Sequence, residues 1–154
     1  MASKVRPIPE GFSSVTPHLI TKDAPQALEF YKKAFGAIEL MRQAGPQGKI
    51  MHAEIKIGSS VIMLADEFPE MGALSPASVG GCPVTFYVYV EDVDALFSRA
   101  IAAGAKEKEP VKVEFYGDRR GGVTDPFGYV WYIATHVEDV SPEELAKRST
   151  AHGQ

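Results

Sequence analysis

The segment Val61-Ile62-Met63-Leu64-Ala65 returns 69 positions later as Val130-Trp131-Tyr132-Ile133-Ala134, and this repetition constrains the fold more than any other feature of the chain. The same offset carries Val15-Thr16 to Val84-Thr85, each pair opening an apolar strand that runs to an acidic helix start at Asp23 or Asp92. An offset one residue shorter carries Gly36-Ala37 to Gly104-Ala105. One strand-helix-strands unit has been used twice, and two long copies are too few and too large for a solenoid.

The second copy closes in a hairpin running from Asp118 to His136. Its turn, Asp125-Pro126-Phe127-Gly128, has type I chemistry: Asp125 bonds nearby backbone, Pro126 pre-sets φ, and Gly128 takes the last position. The strand after it alternates, with Val130, Tyr132 and Ala134 on one face and Trp131, Ile133 and Thr135 on the other. Both faces carry bulk, so both should be covered by protein or ligand.

In chain order, Met1 to Gly11 is a stiff polar lead-in with Pro7 and Pro9 and no regular pattern. Val15 to Thr21 reads as a strand with Thr16, His18 and Ile20 on one face; Pro17 inside it offers no ladder donor, so this strand should lie at a sheet edge or have a free N–H side there. Asp23 caps a helix in which Ala27, Leu28, Tyr31 and Phe35 recur at helical spacing until Gly36. Ile38 to Arg42 is a short strand. Ile50 to Ile57 alternates, Met51, Ala53, Ile55 and Ile57 against His52, Glu54 and Lys56, and Gly58-Ser59-Ser60 turns it into the strand Val61 to Asp66. Glu67 to Pro83 is rich in proline, glycine and serine and reads as a linker.

The second copy opens with the strand Val84 to Val90 and a helix from Val93 to Ala103, capped by Asp92 and closed by Gly104. The charged strand-like stretch Ala105 to Tyr116 belongs near an edge. Ser141-Pro142-Glu143-Glu144 is a capping box that starts a short terminal helix, followed by a polar tail from Arg148 to Gln154. The expected fold class is α+β, one 154-residue domain with a first βαβββ module at 12–66, a linker at 67–83, a second module at 84–136, and a C-terminal helix and tail at 137–154.

A formal charge of −4 and the absence of a basic stripe argue against a nucleic-acid partner. The single cysteine, Cys82, excludes an internal disulfide and suits a reducing cytoplasm. No run approaches the roughly 20 apolar residues of a membrane span, and Met1 to Gly11 has no apolar signal core, so neither a membrane partner nor export is expected.

Ala27-Leu28-Glu29-Phe30-Tyr31-Lys32-Lys33-Ala34-Phe35-Gly36, His52-Ala53-Glu54-Ile55 with Ile62-Met63-Leu64-Ala65-Asp66, and Asp125-Pro126-Phe127-Gly128 followed by Trp131 resemble the vicinal oxygen chelate superfamily. That superfamily holds glyoxalase I, bleomycin-resistance proteins, fosfomycin-resistance enzymes and extradiol dioxygenases, and the chain is most similar to its PhnB-like branch. The resemblance spans Ser14 to His136 and implies tandem βαβββ modules forming curved mixed sheets around a concave cavity. The superfamily's metal enzymes hold a divalent ion with side chains of the first and fourth strand of each module. Carried over, those positions fall on Thr16 and Met63, and on Thr85 and Tyr132, none of which is a strong ligand. The resemblance therefore implies the pocket without the usual metal, and no cofactor is expected.

On the cavity face the repeat also places His18, Tyr87, Tyr89, His52 and Glu54. His52 and Glu54, two apart on one strand and so roughly 6.6 Å apart along it, could address one ligand, with imidazole and carboxylate as a catalytic pair; a solvated sheet face is the plainer alternative. Tyr87, Tyr89 and Tyr132 could stack on a flat ligand or simply fill space. Arg119 and Arg120, near Tyr116, could grip a carboxylate or phosphate, or pair on the surface. Cys82 has no basic neighbour in sequence, and Asp125 holds its turn. Three functions stay open: a homodimeric protein sequestering a small organic molecule without metal; a lyase, isomerase or dioxygenase with an unusual metal set of His18, His52 and Glu54; and a dimer with a filled cavity acting through its surface.

Overall fold

The structure, a computed structural model, describes residues 5–153 of the chain. It comprises two compact units, Met1–Gly81 and Cys82–Gln154, each with one four-stranded mixed sheet.

The first unit runs β1 (His18–Thr21), α1 (Ala24–Phe35), β2 (Ile38–Ala44), β3 (Ile50–Ile57), β4 (Ser60–Asp66) and the short α2 (Pro76–Val79). The sheet order is β1-β4-β3-β2, with β1 parallel to β4 and the other pairs antiparallel. Helix α1 starts where the Asp23 carboxylate accepts the Gln26 N–H at 3.1 Å, and it stops at Gly36, whose left-handed backbone sends its N–H back to the Lys32 carbonyl. Its apolar stripe, including Leu28 and Tyr31, is fully buried over Leu19, Ile55 and Leu64 of the sheet. The buried Asp66 ties three elements together: one oxygen accepts the first helical N–H, Ala24 at 2.8 Å, and the other accepts Ile50 N–H of β3 at 2.7 Å.

Two expectations change here. The first strand begins at His18 rather than Val15, because Pro17 enters the ladder only through its carbonyl, which accepts Met63 N–H at 2.9 Å; β1 is nonetheless an edge strand. Residues 67–83 are not a plain linker. Hydrogen bonds from Ser75 and Ser78 hold the Glu67 carboxyl down at about 2, its oxygen accepts Ser75 N–H at 2.6 Å, and a Phe68–Ala73 bridge closes the loop before α2.

The second unit repeats the plan: β5 (Thr85–Tyr89), α3 (Val93–Ala103), β6 (Lys106–Val113), β7 (Asp118–Thr124), β8 (Val130–His136) and α4 (Pro142–His152). Its order is β5-β8-β7-β6, so the charged β6 is an edge strand as expected. Asp92 caps α3 through Ala95 N–H at 3.0 Å, and Thr135, in the place of Asp66, accepts Val93 N–H at 3.0 Å. The helix α4 continues through the stretch expected as tail, to His152, with Arg148 held by Glu138, Glu144 and the Phe115 carbonyl. Gln154 lies outside the described residues, as do positions 1–4 of the lead-in.

The hairpin turn is fastened by one carboxylate. Asp125, 4% exposed, accepts Phe127 N–H at 2.9 Å, Tyr129 N–H at 3.0 Å and the Trp131 indole N–H at 2.9 Å. Trp131 in turn stacks on Phe86, with ring centroids 4.6 Å apart. On β7, a side chain at Gly121 or Gly122 would crowd its neighbours. A methyl on Gly121 would lie 2.8 Å from Phe97 of α3, and one on Gly122 would lie 3.0 Å from the Tyr132 ring.

Candidate functional site

In each unit one sheet face packs against helices and the other carries the chemistry-bearing side chains, so the sites are built row by row across the strands. In the first unit His18 stands beside Met63, Met63 beside Glu54, and Glu54 beside Met41. His52, next on β3, places Nε2 3.1 Å from Glu54 Oε1, and its ring centroid lies 5.9 Å from that of His18. Burial, and then the neighbouring His52, lower the His18 pKa from its ordinary value. Above the sheet run residues 7–14, and between them and Thr16, Glu54 and Met63 lies an open cavity of about 550 Å³.

In the second unit the equivalent row is Tyr87, Tyr132, Gly122 and Glu109. Tyr87 lies 5.1 Å from Tyr89 and 6.1 Å from Tyr132, centroid to centroid, so the three expected tyrosines do form one aromatic shelf. Their hydroxyls are engaged: Tyr87 donates to Asp118 at 3.0 Å and Tyr89 to the same oxygen at 2.9 Å, while Tyr132 donates to Glu109 at 3.5 Å. Burial first, then the Tyr116 and Asp118 hydrogen bonds, push the Tyr87 phenol far up. Tyr89 is also raised, chiefly by its bond to Asp118.

Asp118 is the hub of this network. Burial alone would raise its carboxyl, but the hydrogen bonds from His136, Tyr89 and Tyr87 bring it below the ordinary value. His136 lies between two carboxylates, Nδ1 2.8 Å from Asp118 and Nε2 2.8 Å from Asp139, and both raise its pKa. Arg120 lies over the Tyr132 ring, 4.4 Å from the centroid, and pairs with Glu109 at 2.8 Å. Its Nε is buried with no hydrogen-bond partner. The arrangement can hold a flat group against aromatic faces and offers carboxylates, an imidazole and a guanidinium to its edges.

Several expected residues stand elsewhere. Arg119 faces the helix side and forms a bidentate pair with Asp94 of α3, at 2.8 and 2.7 Å, so its own chain occupies the fork. Thr85 stands beside Val130, one pleat from Tyr132, and Thr16 precedes β1; the strand partners of Tyr132 and Met63 are Tyr87 and His18. Cys82 Sγ donates to the Val84 carbonyl at 3.3 Å. Asp118, Glu109 and His136 are not singled out as ligand contacts by the sequence, although alternation along 118–122 places Asp118 on one face with Arg120 and Gly122.

A divalent ion does not suit this donor set. His18 and Met63 in one unit offer an imidazole and a soft thioether, and Tyr87 and Tyr132 in the other offer phenols, that of Tyr87 pushed up by burial, with the Arg120 cation over the Tyr132 ring. Among the described residues no group of three or more His, Cys, Asp or Glu is placed to hold a metal ion.

This pair of βαβββ units matches the sequence pattern of the Glyoxalase/Bleomycin resistance protein/Dioxygenase superfamily over residues 12–133. The chain belongs to that superfamily. A relative within it, an uncharacterised protein of Mycobacterium tuberculosis, is 41% identical over 143 residues, covering 91% of this chain and 84% of its own. The crystal structure of TioX from Micromonospora sp. ML1 has a TM-score of 0.63 at 28% identity, covering 81% of this chain and 99% of TioX. An Arabidopsis thaliana gene product of known structure has a TM-score of 0.65 at 31% identity, covering 80% of this chain and 98% of its own. The superfamily read from the sequence thus stands on the family pattern, and its fold on both sequence and structure. Among the described residues no helix is long and apolar enough to cross a membrane.

Proposed function

We propose that the protein binds and sequesters a small organic molecule without a metal ion. The observation that carries this reading is the shelf of Tyr87, Tyr89 and Tyr132, whose hydroxyls are tied to carboxylates while the rings stay accessible, Tyr87 at 40% and Tyr89 at 62% exposure. Aromatic faces held in place lose little entropy when a flat ligand stacks on them. The same reading takes the protein to be a cytoplasmic homodimer, since the strand edges of both sheets call for cover.

Native mass spectrometry of the purified protein tests it by looking for a retained compound. Calorimetry of the recovered compound should then find binding weakened by about 1–3 kcal/mol in Tyr132→Ala, through lost burial. Affinity unchanged in that variant would remove the shelf from the site. Sedimentation at micromolar concentration decides between dimer and monomer.

A further inference from the structure

Residues 7–14 look from sequence like a featureless lead-in, but they are one wall of a cavity. Pro7, Ile8, Pro9 and Phe12 face Thr16, Glu54 and Met63 across about 550 Å³, a volume typical of small-molecule sites. Two prolines limit the φ freedom of this wall, and Phe12 N–H closes a turn onto the Pro9 carbonyl at 3.1 Å, so little ordering remains to be done on binding. The wall is apolar, and Ile8 leaves half its surface exposed. Opposite it Met63 adds a thioether, which adapts to irregular apolar shapes.

Among the described residues lining this cavity, Glu54 alone carries a formal charge. Its side chain is 20% exposed, and its Oε1 lies 3.1 Å from His52 Nε2. A partly desolvated carboxylate at the end of an apolar trough favours a cationic or N–H-donating group and repels an anion. We propose that the N-terminal segment and the open face of the first sheet form a binding site for an apolar amine, its body lying between Ile8, Phe12 and Met63 and its ammonium on Glu54. The proposal rests on the small-molecule reading above and assigns a ligand class to a different part of the molecule.

The test compares two fluorescent probes that share one apolar body, dansylcadaverine with a free amine and dansylglycine with a carboxylate. They are titrated at pH 8, above the ordinary imidazole range of about 6.5. Dansylcadaverine should bind about tenfold more tightly, as one charge-assisted contact implies. Glu54→Gln should bring the two probes to about equal affinity, Phe12→Ala should weaken both by a similar factor, and the Met63 ε-methyl NMR signal should move on titration. Equal or reversed preference in the native protein, a preference surviving Glu54→Gln, or an unmoved Met63 signal would overturn the proposal. Tyr132→Ala, measured alongside, separates the two readings: a retained compound weakened by Tyr132→Ala with no amine preference sinks only this inference. Amine preference with no effect of Tyr132→Ala sinks only the shelf.

Discussion

The two units carry the same backbone plan and opposite surface chemistry. Across four strands, the row His18, Met63, Glu54, Met41 of the first corresponds to Tyr87, Tyr132, Gly122, Glu109 of the second. In the first unit a carboxylate stands beside a methionine and the neighbouring lead-in encloses open space. In the second that carboxylate position is a glycine, a tyrosine lies over it, and the acid has moved one strand outward to bond the phenol and Arg120. The helix caps and strand pairings that build the sheet survive duplication, while the open face is free to diverge because no ladder hydrogen bond depends on it.

The sharpest way to break the comparison is at the hairpins. The first closes its β3–β4 turn through Gly58-Ser59, whereas the second depends on Asp125 accepting three N–H groups. Asp125→Ala should cost about 3–5 kcal/mol, since three donors, the indole N–H among them, lose a buried charged acceptor. Urea unfolding measures this, and a loss below about 1 kcal/mol would mean that water replaces the carboxylate.

A smaller contrast lies at the helix starts. Asp66→Ala should cost about 3 kcal/mol because it takes a charged acceptor from two buried N–H groups, whereas Thr135→Val, at the matching place, should cost about 2 kcal/mol, because its neutral hydroxyl accepts the Val93 N–H and donates to the Val90 carbonyl. Equal losses in thermal or urea unfolding would show that the two positions do the same work. Gly122→Ala comes next, at about 1–2 kcal/mol, because its methyl must displace the Tyr132 ring. Altered tyrosine fluorescence should accompany it.

The smallest effect is one of sign. His136 has a raised pKa, so the stability it contributes is complete below the ordinary 6.5 and is lost as pH rises through the raised value. His18 has a lowered pKa, so its contribution is present above 6.5 and is lost as pH falls towards the lowered value. Proton NMR titration, with the imidazole signals assigned by His18→Gln and His136→Gln, should find His18 titrating below His136. The reverse order would remove the electrostatic distinction between the two faces.

The repeat, the caps at Asp23 and Asp92, the glycine stops and the Asp125 turn were legible because each is a short-range signal with its own local chemistry. The row across the sheet was not. Paired residues Gly122 and Tyr132 stand one position farther apart in the chain than Glu54 and Met63, so an offset of 69 that matches Met63 to Tyr132 becomes 68 on the preceding strand, where Glu54 matches Gly122 and His52 matches Arg120. That one-residue change decides whether Arg119 or Arg120 shares a face with Tyr132, and only the ladder reveals it. Thr16, carried over with Met63 to the cavity face, precedes β1 and lines the same cavity as Met63, whereas the ladder partner of Met63 is His18. The lead-in gave no sign of being a wall, because Pro7, Ile8 and Phe12 follow no period.

At Gly121-Gly122 the second sheet is a single peptide layer thick, with the Phe97 ring against one side and the Tyr132 ring against the other. Elsewhere a push on one face is absorbed by side chains before it reaches the backbone. Here nothing soft intervenes, so a molecule that leans on Tyr132 leans, through one plane of amide groups, on helix α3. The glycine pair thus puts the aromatic face and the helix face of this sheet within one backbone of each other.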